Sequence, residues 1–137
     1  MLYRPLAGLE AVSALCLGAG PFGSQLPAAR AYDLLDAFVN VGGNFIDTAH
    51  IYGAWAPQGE NGGCGNSEVT VGRWLRQNGH RDRMIVATKG GHPDFATGET
   101  RLTREGLRRF RACANWSSMM CRNRVTCQPC GASASRC

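Results

Sequence analysis

Three short apolar segments mark the first part of the chain, at residues 14–18, 44–47 and 84–88. Each has the length of a strand and lacks the periodicity of a long helix, so each predicts a buried β-strand. Residues 3–12 come before them and have the pattern of a β-hairpin, with Gly8 in the turn. We therefore expect a hairpin followed by three strands.

Amphipathic patterns separate and follow these strands. Helices are predicted to begin at Pro27, at a capping Ser67 and, after Thr103, at Arg104. The apolar faces are expected to consist of Leu34, Leu35, Phe38 and Val41 in the first helix and of Val71, Trp74 and Leu75 in the second. Two glycines at residues 42–43 should end the first helix.

Strands that alternate with helices predict an α/β fold with a parallel sheet. In both main α/β architectures the functional side chains lie at the carboxyl ends of the strands. Residues 53–65 are rich in glycine and are therefore predicted to form a loop after the second strand. Polar residues near these strand ends are the first candidates for a site.

Three polar residues occupy such positions. Asp47 closes the second predicted strand, Tyr52 lies in the loop after it, and Lys89 follows the third strand. Lys89 is the only lysine of the chain, and all its other basic side chains except histidine are arginines. A lone lysine suggests a task for a compact ammonium that a guanidinium cannot perform.

Together, these three side chains could transfer a proton. A tyrosine hydroxyl is a weak acid at neutral pH, and a nearby ammonium favours its ionisation. A carboxylate beside that ammonium would hold it in place and keep it charged. The set could thus protonate an oxygen that gains negative charge while a carbonyl group is reduced. None of the three can donate a hydride, so a cofactor must supply it.

The pattern around these residues resembles the aldo-keto reductases. Residues 44–49 read NFIDTA and are followed by Tyr52 and Gly53, by a helix that opens with Ser67 and Glu68, and by ATK at residues 87–89. Residues 17–23, which read LGAGPFG, and residues 3–6, which read YRPL, are also similar to that family. The resemblance covers residues 1–109 and is specific, because it holds at several separate points.

This resemblance implies a fold, an activity and a set of site residues. It implies the amino-terminal fragment of a (β/α)8 barrel, with a hairpin and about three βα units, and NADPH-dependent reduction of small aldehydes and ketones. Tyr52 would be the general acid, Lys89 would favour its ionisation, and Asp47 would pair with Lys89. Gly18, Gly20 and Asp47 would contact the NADPH.

The family also places a histidine at the end of the next strand, and no such strand or histidine follows Lys89. His92 lies in the loop after the same strand as Lys89. We therefore expect a truncated reductase that is inactive alone. Three parallel strands without the rest of a barrel would leave an edge strand and the interior face open, which predicts marginal stability or aggregation.

The sequence changes character near Phe110. Residues 1–105 carry nine basic and ten acidic side chains, whereas residues 106–137 carry six arginines and no acidic residue. We expect residues 110–137 to form an irregular tail. A frameshift would explain it, because with GC-rich codons residues 113–117 read from one nucleotide upstream give LRQLE, a plausible continuation of the third helix.

The tail also offers an alternative function, that of a small zinc- or nucleic-acid-binding protein. Cys127 and Cys130 have zinc-knuckle spacing, and Cys121 and Cys137 could supply two more thiolates. The second pair is not spaced as a knuckle, so no metal site is assigned.

No stretch of the sequence is apolar over the length that a membrane span requires, and no signal peptide is recognisable. The interpretation as a reductase predicts a cytoplasmic protein with a small carbonyl substrate and without nucleic-acid or membrane partners. The sequence does not indicate an oligomeric state.

Overall fold

The computed structural model describes residues 1–6, 9–56, 65–93, 98–99, 103–104, 112–113 and 126–127. Its elements, in chain order, are β1 (Tyr3–Leu6), β2 (Leu9–Ser13), β3 (Leu17–Gly18), α1 (Ala28–Asn40), β4 (Phe45–Asp47), α2 (Asn66–Gln77), β5 (Ile85–Ala87), β6 (Ala112–Cys113) and β7 (Thr126–Cys127).

The predicted amino-terminal hairpin is present. β1 and β2 pair antiparallel, with Tyr3 opposite Ser13. The predicted turn residue, Gly8, lies outside the described residues. The end of the hairpin is fixed to the start of β4 by Asn44, whose side-chain carbonyl oxygen accepts from the Ser13 N–H at 2.8 Å and whose amide group donates to the Ala11 carbonyl oxygen at 2.8 Å.

A parallel sheet follows the hairpin in the sequence. Its strand order is β3-β4-β5, which confirms the α/β prediction. Gly18 pairs with Asp47 across β3 and β4, and Asp47 pairs with Ala87 across β4 and β5. All three strands therefore end at the same level of the sheet, so the residues that follow them are neighbours.

β3 is shorter than predicted. Strand geometry was expected from residue 14, but it begins at Leu17. The Ala14 N–H donates to the Leu2 carbonyl oxygen at 2.8 Å, so this residue continues the hairpin instead of joining the parallel sheet. Leu15 is then left 65% exposed, and the prediction of a buried run over residues 14–16 is wrong.

Helix α1 begins after Pro27 and ends at the predicted pair of glycines. Gly42 has a φ of +86°, which favours glycine, and its N–H donates to the Val39 carbonyl oxygen at 2.8 Å. The buried face consists of Ala31 and Leu35, with Phe38 partly buried against the core. Leu34 and Val41 are exposed, so their predicted place on this face is wrong: the buried stripe runs along residues 31, 35 and 38.

Helix α2 buries the predicted residues but begins differently. Val71, Trp74 and Leu75 are fully buried, as expected. The N-cap is Gly65 in a left-handed conformation, and Ser67 lies inside the helix. The prediction of Ser67 as the cap is therefore wrong, and its hydroxyl is bonded to the sheet instead.

The hydrophobic core lies between the sheet and the two helices. Its buried members are Ala19, Phe22, Ala31, Leu35, Ile46, Val71, Trp74, Leu75 and Met84. Trp74 also donates from its indole N–H to the Asp36 carboxylate at 2.8 Å, which ties α2 to α1. Because side chains alternate along a strand, the neighbours of Ile46 in β4 point to the opposite, more open face of the sheet.

Little of the chain beyond β5 is described. Thr103 and Arg104 are described, and Arg104 has helical conformation. The rest of the predicted third helix lies outside the described residues. In the tail, β6 and β7 pair in parallel.

The contact between Gly23 and α2 gives a test of this packing. Gly23 has a φ of +69°, and an added Cβ would overlap the Thr70 hydroxyl and lie 3.0 Å from the Asn66 carbonyl oxygen. Gly23→Ala should lower the free energy of unfolding by roughly 3 kcal/mol, from backbone strain and overpacking together. The measurement is urea denaturation followed by circular dichroism.

Gly79→Ala is the matched control. Gly79 has a φ of +62°, but no atom in the described part of the chain lies within 4 Å of its added Cβ. This variant should lose only the backbone contribution of about 1–2 kcal/mol. Equal losses in the two variants would contradict close packing of Gly23 against α2.

Candidate active site

Asp47, Tyr52 and Lys89 come together at the carboxyl edge of the sheet. Asp47 is the last residue of β4, and Lys89 lies two residues beyond the end of the neighbouring strand β5. Tyr52 returns to the same place because the chain turns after β4, with the Tyr52 N–H donating to the Ala49 carbonyl oxygen at 3.1 Å. The three residues that the sequence predicts as a set are therefore in direct contact.

The Lys89 ammonium is the centre of this cluster. It donates to both carboxylate oxygens of Asp47 at 2.7 Å and to the Tyr52 hydroxyl oxygen at 3.1 Å. It also donates to the Thr48 carbonyl oxygen at 3.1 Å and lies 4.9 Å from the centre of the Tyr52 ring. The ammonium is thus held by one carboxylate, one backbone oxygen and one phenol.

These contacts keep Lys89 protonated. Partial burial acts to lower the pKa of Lys89, but the hydrogen bonds with Asp47 and Tyr52 and the electrostatic effect of the same two groups outweigh it. The pKa of Lys89 is therefore raised above its ordinary value, and the side chain is an ammonium at neutral pH.

Tyr52 is half-buried and its loop is a succession of tight turns. The Ala54 N–H donates to the Ile51 carbonyl oxygen and the Ala56 N–H to the Gly53 carbonyl oxygen, both at 3.0 Å. The Trp55 ring meets the Tyr52 ring edge-on, at 6.1 Å between centroids. Trp55 is half exposed, so a second aromatic surface accessible to solvent lies beside the Tyr52 ring.

Several residues of the site were missed by sequence reasoning. The buried Ser67 hydroxyl donates to the Ala19 carbonyl oxygen at 2.6 Å and lies 2.7 Å from the Thr48 hydroxyl oxygen, which links α2 to the ends of β3 and β4. Glu68 contacts Thr88 and His50. The sequence did contain a sign of these contacts. Thr48 is adjacent to Asp47 and Thr88 is adjacent to Lys89, and both threonines bond to polar residues at the start of α2.

The predicted cofactor residues lie beside this cluster. Gly18 is directly opposite Asp47 in the sheet, and Gly20 follows in the next turn. No atom of the described residues lies within 4 Å of a Cβ added at either glycine, so both leave open space at the strand end. A cofactor group could therefore approach Asp47 from this side, and the contacts of Gly18, Gly20 and Asp47 with NADPH stay a prediction.

Cys16 precedes β3, and the charges of Asp47 and Lys89 affect the pKa of its thiol. Burial raises the pKa of the Cys16 thiol, Asp47 raises it further, and Lys89 opposes both effects. The raised pKa favours the thiol form of Cys16 over the thiolate.

Within the described ranges, no three histidine, cysteine, aspartate or glutamate side chains come together as a metal site would require. Of the four cysteines in the predicted zinc alternative, only the backbone of Cys127 falls in those ranges. No helix in the described part of the chain has the length and apolar character needed to cross a membrane.

Comparison with known proteins places this architecture in a family. The sequence model of the Aldo/keto reductase family matches residues 14–117, which extends beyond the boundary at residue 109 that the sequence predicts. That predicted boundary, the frameshift and the catalytic roles stay predictions.

Two curated relatives are fungal enzymes. Norsolorinic acid reductase stcV of Emericella nidulans is 45% identical over 95 residues, which covers 64% of this chain and 22% of the relative. The aryl-alcohol dehydrogenase [NADP(+)] of Phanerodontia chrysosporium is 41% identical over 93 residues, which covers 62% of this chain and 21% of the relative. The chain thus matches little more than a fifth of the length of either relative.

A solved structure gives the same answer for the fold. A chain assigned to the aldo-keto reductases of Pseudomonas aeruginosa superposes with a TM-score of 0.53 and 35% identity, covering 72% of this chain and 33% of that one. The described part is accordingly a portion of a (β/α)8 barrel. Because the family model spans more than half of its residues, the chain belongs to the aldo/keto reductase family.

Proposed function

We propose that this chain carries the proton-donor side of an NADPH-dependent site that reduces small aldehydes and ketones. The observation that carries the proposal is the contact of one ammonium, that of Lys89, with both carboxylate oxygens of Asp47 and with the Tyr52 hydroxyl oxygen. A phenol that accepts a hydrogen bond from a cation can direct its own hydrogen to the oxygen of a substrate.

The direction of the hydrogen bond supports these roles. Lys89 donates to the Tyr52 oxygen, so the hydrogen of the Tyr52 hydroxyl is free to point away from Lys89, towards a substrate. As a carbonyl carbon accepts a hydride, the carbonyl oxygen takes this proton and an alcohol forms. The phenolate left on Tyr52 is stabilised by the Lys89 ammonium and regains a proton from water.

NADPH, when bound, supplies the hydride that these side chains lack. We propose that Gly18, Gly20 and Asp47 line the NADPH-binding site. The open space beside both glycines and the pairing of Gly18 with Asp47 support this proposal. One relative, the Phanerodontia chrysosporium dehydrogenase, carries NADP(+) in its name. That name supports the same cofactor here.

Aromatic carbonyl compounds are the first substrates to test. The exposed part of the Trp55 ring lies beside Tyr52, and an aromatic aldehyde could stack there while its oxygen faces the Tyr52 hydroxyl group. The name of the aryl-alcohol dehydrogenase points to the same class of compound for that relative.

We further propose that the chain alone does not complete the reaction. It contains three of the four catalytic positions that its family resemblance implies, and no histidine follows at the end of a next strand. Purified chain mixed with NADPH and benzaldehyde should oxidise NADPH no faster than buffer. Turnover by the chain alone that Tyr52→Phe abolishes would overturn this part of the proposal.

The role of Tyr52 is tested in a chimera. Replacing the matched segment of norsolorinic acid reductase stcV with this chain's residues supplies the remainder of a barrel. Tyr52→Phe in that chimera should lower kcat by at least about 100-fold, because it removes a general acid without changing the ring. The measurement is NADPH oxidation with an aldehyde substrate.

Tyr32→Phe in the same chimera is the matched control. Tyr32 packs against the core from α1 and loses the same atom, but it does not touch the site. Its kcat should stay within about twofold of the parent chimera. If Tyr52→Phe behaves like Tyr32→Phe, Tyr52 is not the proton donor.

A further inference from the structure

The first turn of α2 carries a buried carboxylate that the proposed proton transfer does not use. Glu68 is only 5% exposed. A carboxylate is costly to bury unless both of its oxygens are paired. Its two oxygens face two different segments of the site, and that arrangement indicates what the residue does.

One oxygen of Glu68 holds the segment that carries Lys89. The Thr88 hydroxyl donates to Glu68 Oε1 at 2.7 Å, and Thr88 is the residue immediately before Lys89. A hydrogen bond to an ionised acceptor is stronger and more directional than one between neutral groups. The Glu68 carboxylate therefore fixes where β5 ends and where the Lys89 side chain begins.

The other oxygen of Glu68 faces the segment that carries Tyr52. His50 Nδ1 lies 3.5 Å from Glu68 Oε2, and His50 precedes Tyr52 by two residues. The backbone N–H of His50 also donates to the backbone carbonyl oxygen of Lys89 at 3.0 Å. In residues 51–56, the described part of this loop beyond His50, the backbone hydrogen bonds are those of local turns, so His50 is where the Tyr52 loop leaves the sheet.

We propose that Glu68 is a positioning residue that bridges the Thr88 and His50 segments and thereby sets the distance between the Lys89 ammonium and the Tyr52 hydroxyl group. The inference rests on the proposed function for its purpose, since that distance matters only if Lys89 acts on Tyr52. The geometry itself does not depend on turnover.

A simpler role for Glu68 would be to complement the positive end of the α2 dipole. An acidic side chain in the first turn does this from an exposed position as well. Burial, the bond to Thr88 and the contact with His50 are not needed for that effect. The two roles predict different results when the Thr88 hydroxyl group is removed while the charge of Glu68 is kept.

The test uses the full chain and its single lysine. Labelling with [13Cε]lysine gives one resonance, that of Lys89, whose titration reports its pKa and whose chemical shift reports the Tyr52 ring below it. In Thr88→Val, which has nearly the same shape, the pKa of Lys89 should fall towards its ordinary value and the ring-current shift should shrink. Thr88→Ser should restore both.

Two further variants keep the test informative. Thr70→Val removes a buried hydroxyl that, among the described residues, donates to the Asn66 carbonyl oxygen of its own helix, so the Lys89 titration should match wild type. Glu68→Asp keeps the charge but shortens the side chain, and it should lower the pKa of Lys89 as Thr88→Val does. Circular dichroism checks that each variant is folded. If Thr88→Val is unfolded, the titration of Lys89 in Glu68→Asp decides whether Glu68 has the positioning role.

The outcomes separate the two proposals. If Lys89 in the wild-type chain titrates at its ordinary value with no ring-current shift, the contact with Asp47 and Tyr52 is absent and the proposed function fails. If the wild type shows both signatures and folded Thr88→Val and Glu68→Asp leave them unchanged, only the positioning role of Glu68 is overturned. Equal losses in Thr70→Val and Thr88→Val would also overturn it.

Discussion

The shared ammonium of Lys89 is the interaction on which the candidate site depends. One positive charge satisfies both oxygens of Asp47 and still reaches Tyr52, so removing it would leave a carboxylate and a phenol side by side. This sharing is possible only because Asp47 pairs with Ala87 in register, which brings Lys89 alongside the end of β4. A shift of one residue would turn the Asp47 side chain to the other face.

The register, in turn, is supported from the face opposite the site. Ile46 lies between two residues that point the other way, and it is fully buried among the apolar residues of α1 and α2. Helix α2 contributes both to the core and to the site. Trp74 and Leu75 fill the core, while Ser67 and Glu68 form hydrogen bonds at the ends of the strands. A single helix therefore fixes the sheet and the polar groups at its edge.

Sequence reasoning anticipated what depends on local pattern. Asp47, Tyr52 and Lys89 could be recognised because strand ends are readable from apolar runs, and the glycines at residues 42–43 because a helix stop is a local event. The true role of Ser67 could not be read in this way. A serine at the start of a helix is ordinarily a cap, and only the sheet, distant in sequence, offers it the Ala19 carbonyl oxygen as a better partner.

The same limit explains the errors in the apolar pattern. Leu34 is adjacent to Leu35 in sequence, but the two side chains are separated by about 100° around the helix axis, so both cannot face one narrow core. Ala14 was assigned to the parallel sheet on hydrophobicity, yet its N–H is bonded to Leu2 in the hairpin. For Ala14 a partner distant in sequence decided the outcome, and for Leu34 it was the side of the helix on which the rest of the core lies.

Exposure decides what the described part of the site can do. The side chains of Lys89 and Asp47 are 54% and 34% exposed, and an ion pair so accessible to water contributes about 0–1 kcal/mol to stability. The proposed proton transfer would give this geometry a purpose that a gain in stability does not, because the same ammonium also contacts the Tyr52 hydroxyl oxygen. Electrostatic stabilisation of a developing charge is strong only where water is excluded. The described residues hold Asp47, Lys89 and Tyr52 in contact at an exposed edge of the sheet, and the proposed proton transfer would need additional groups that exclude water from it.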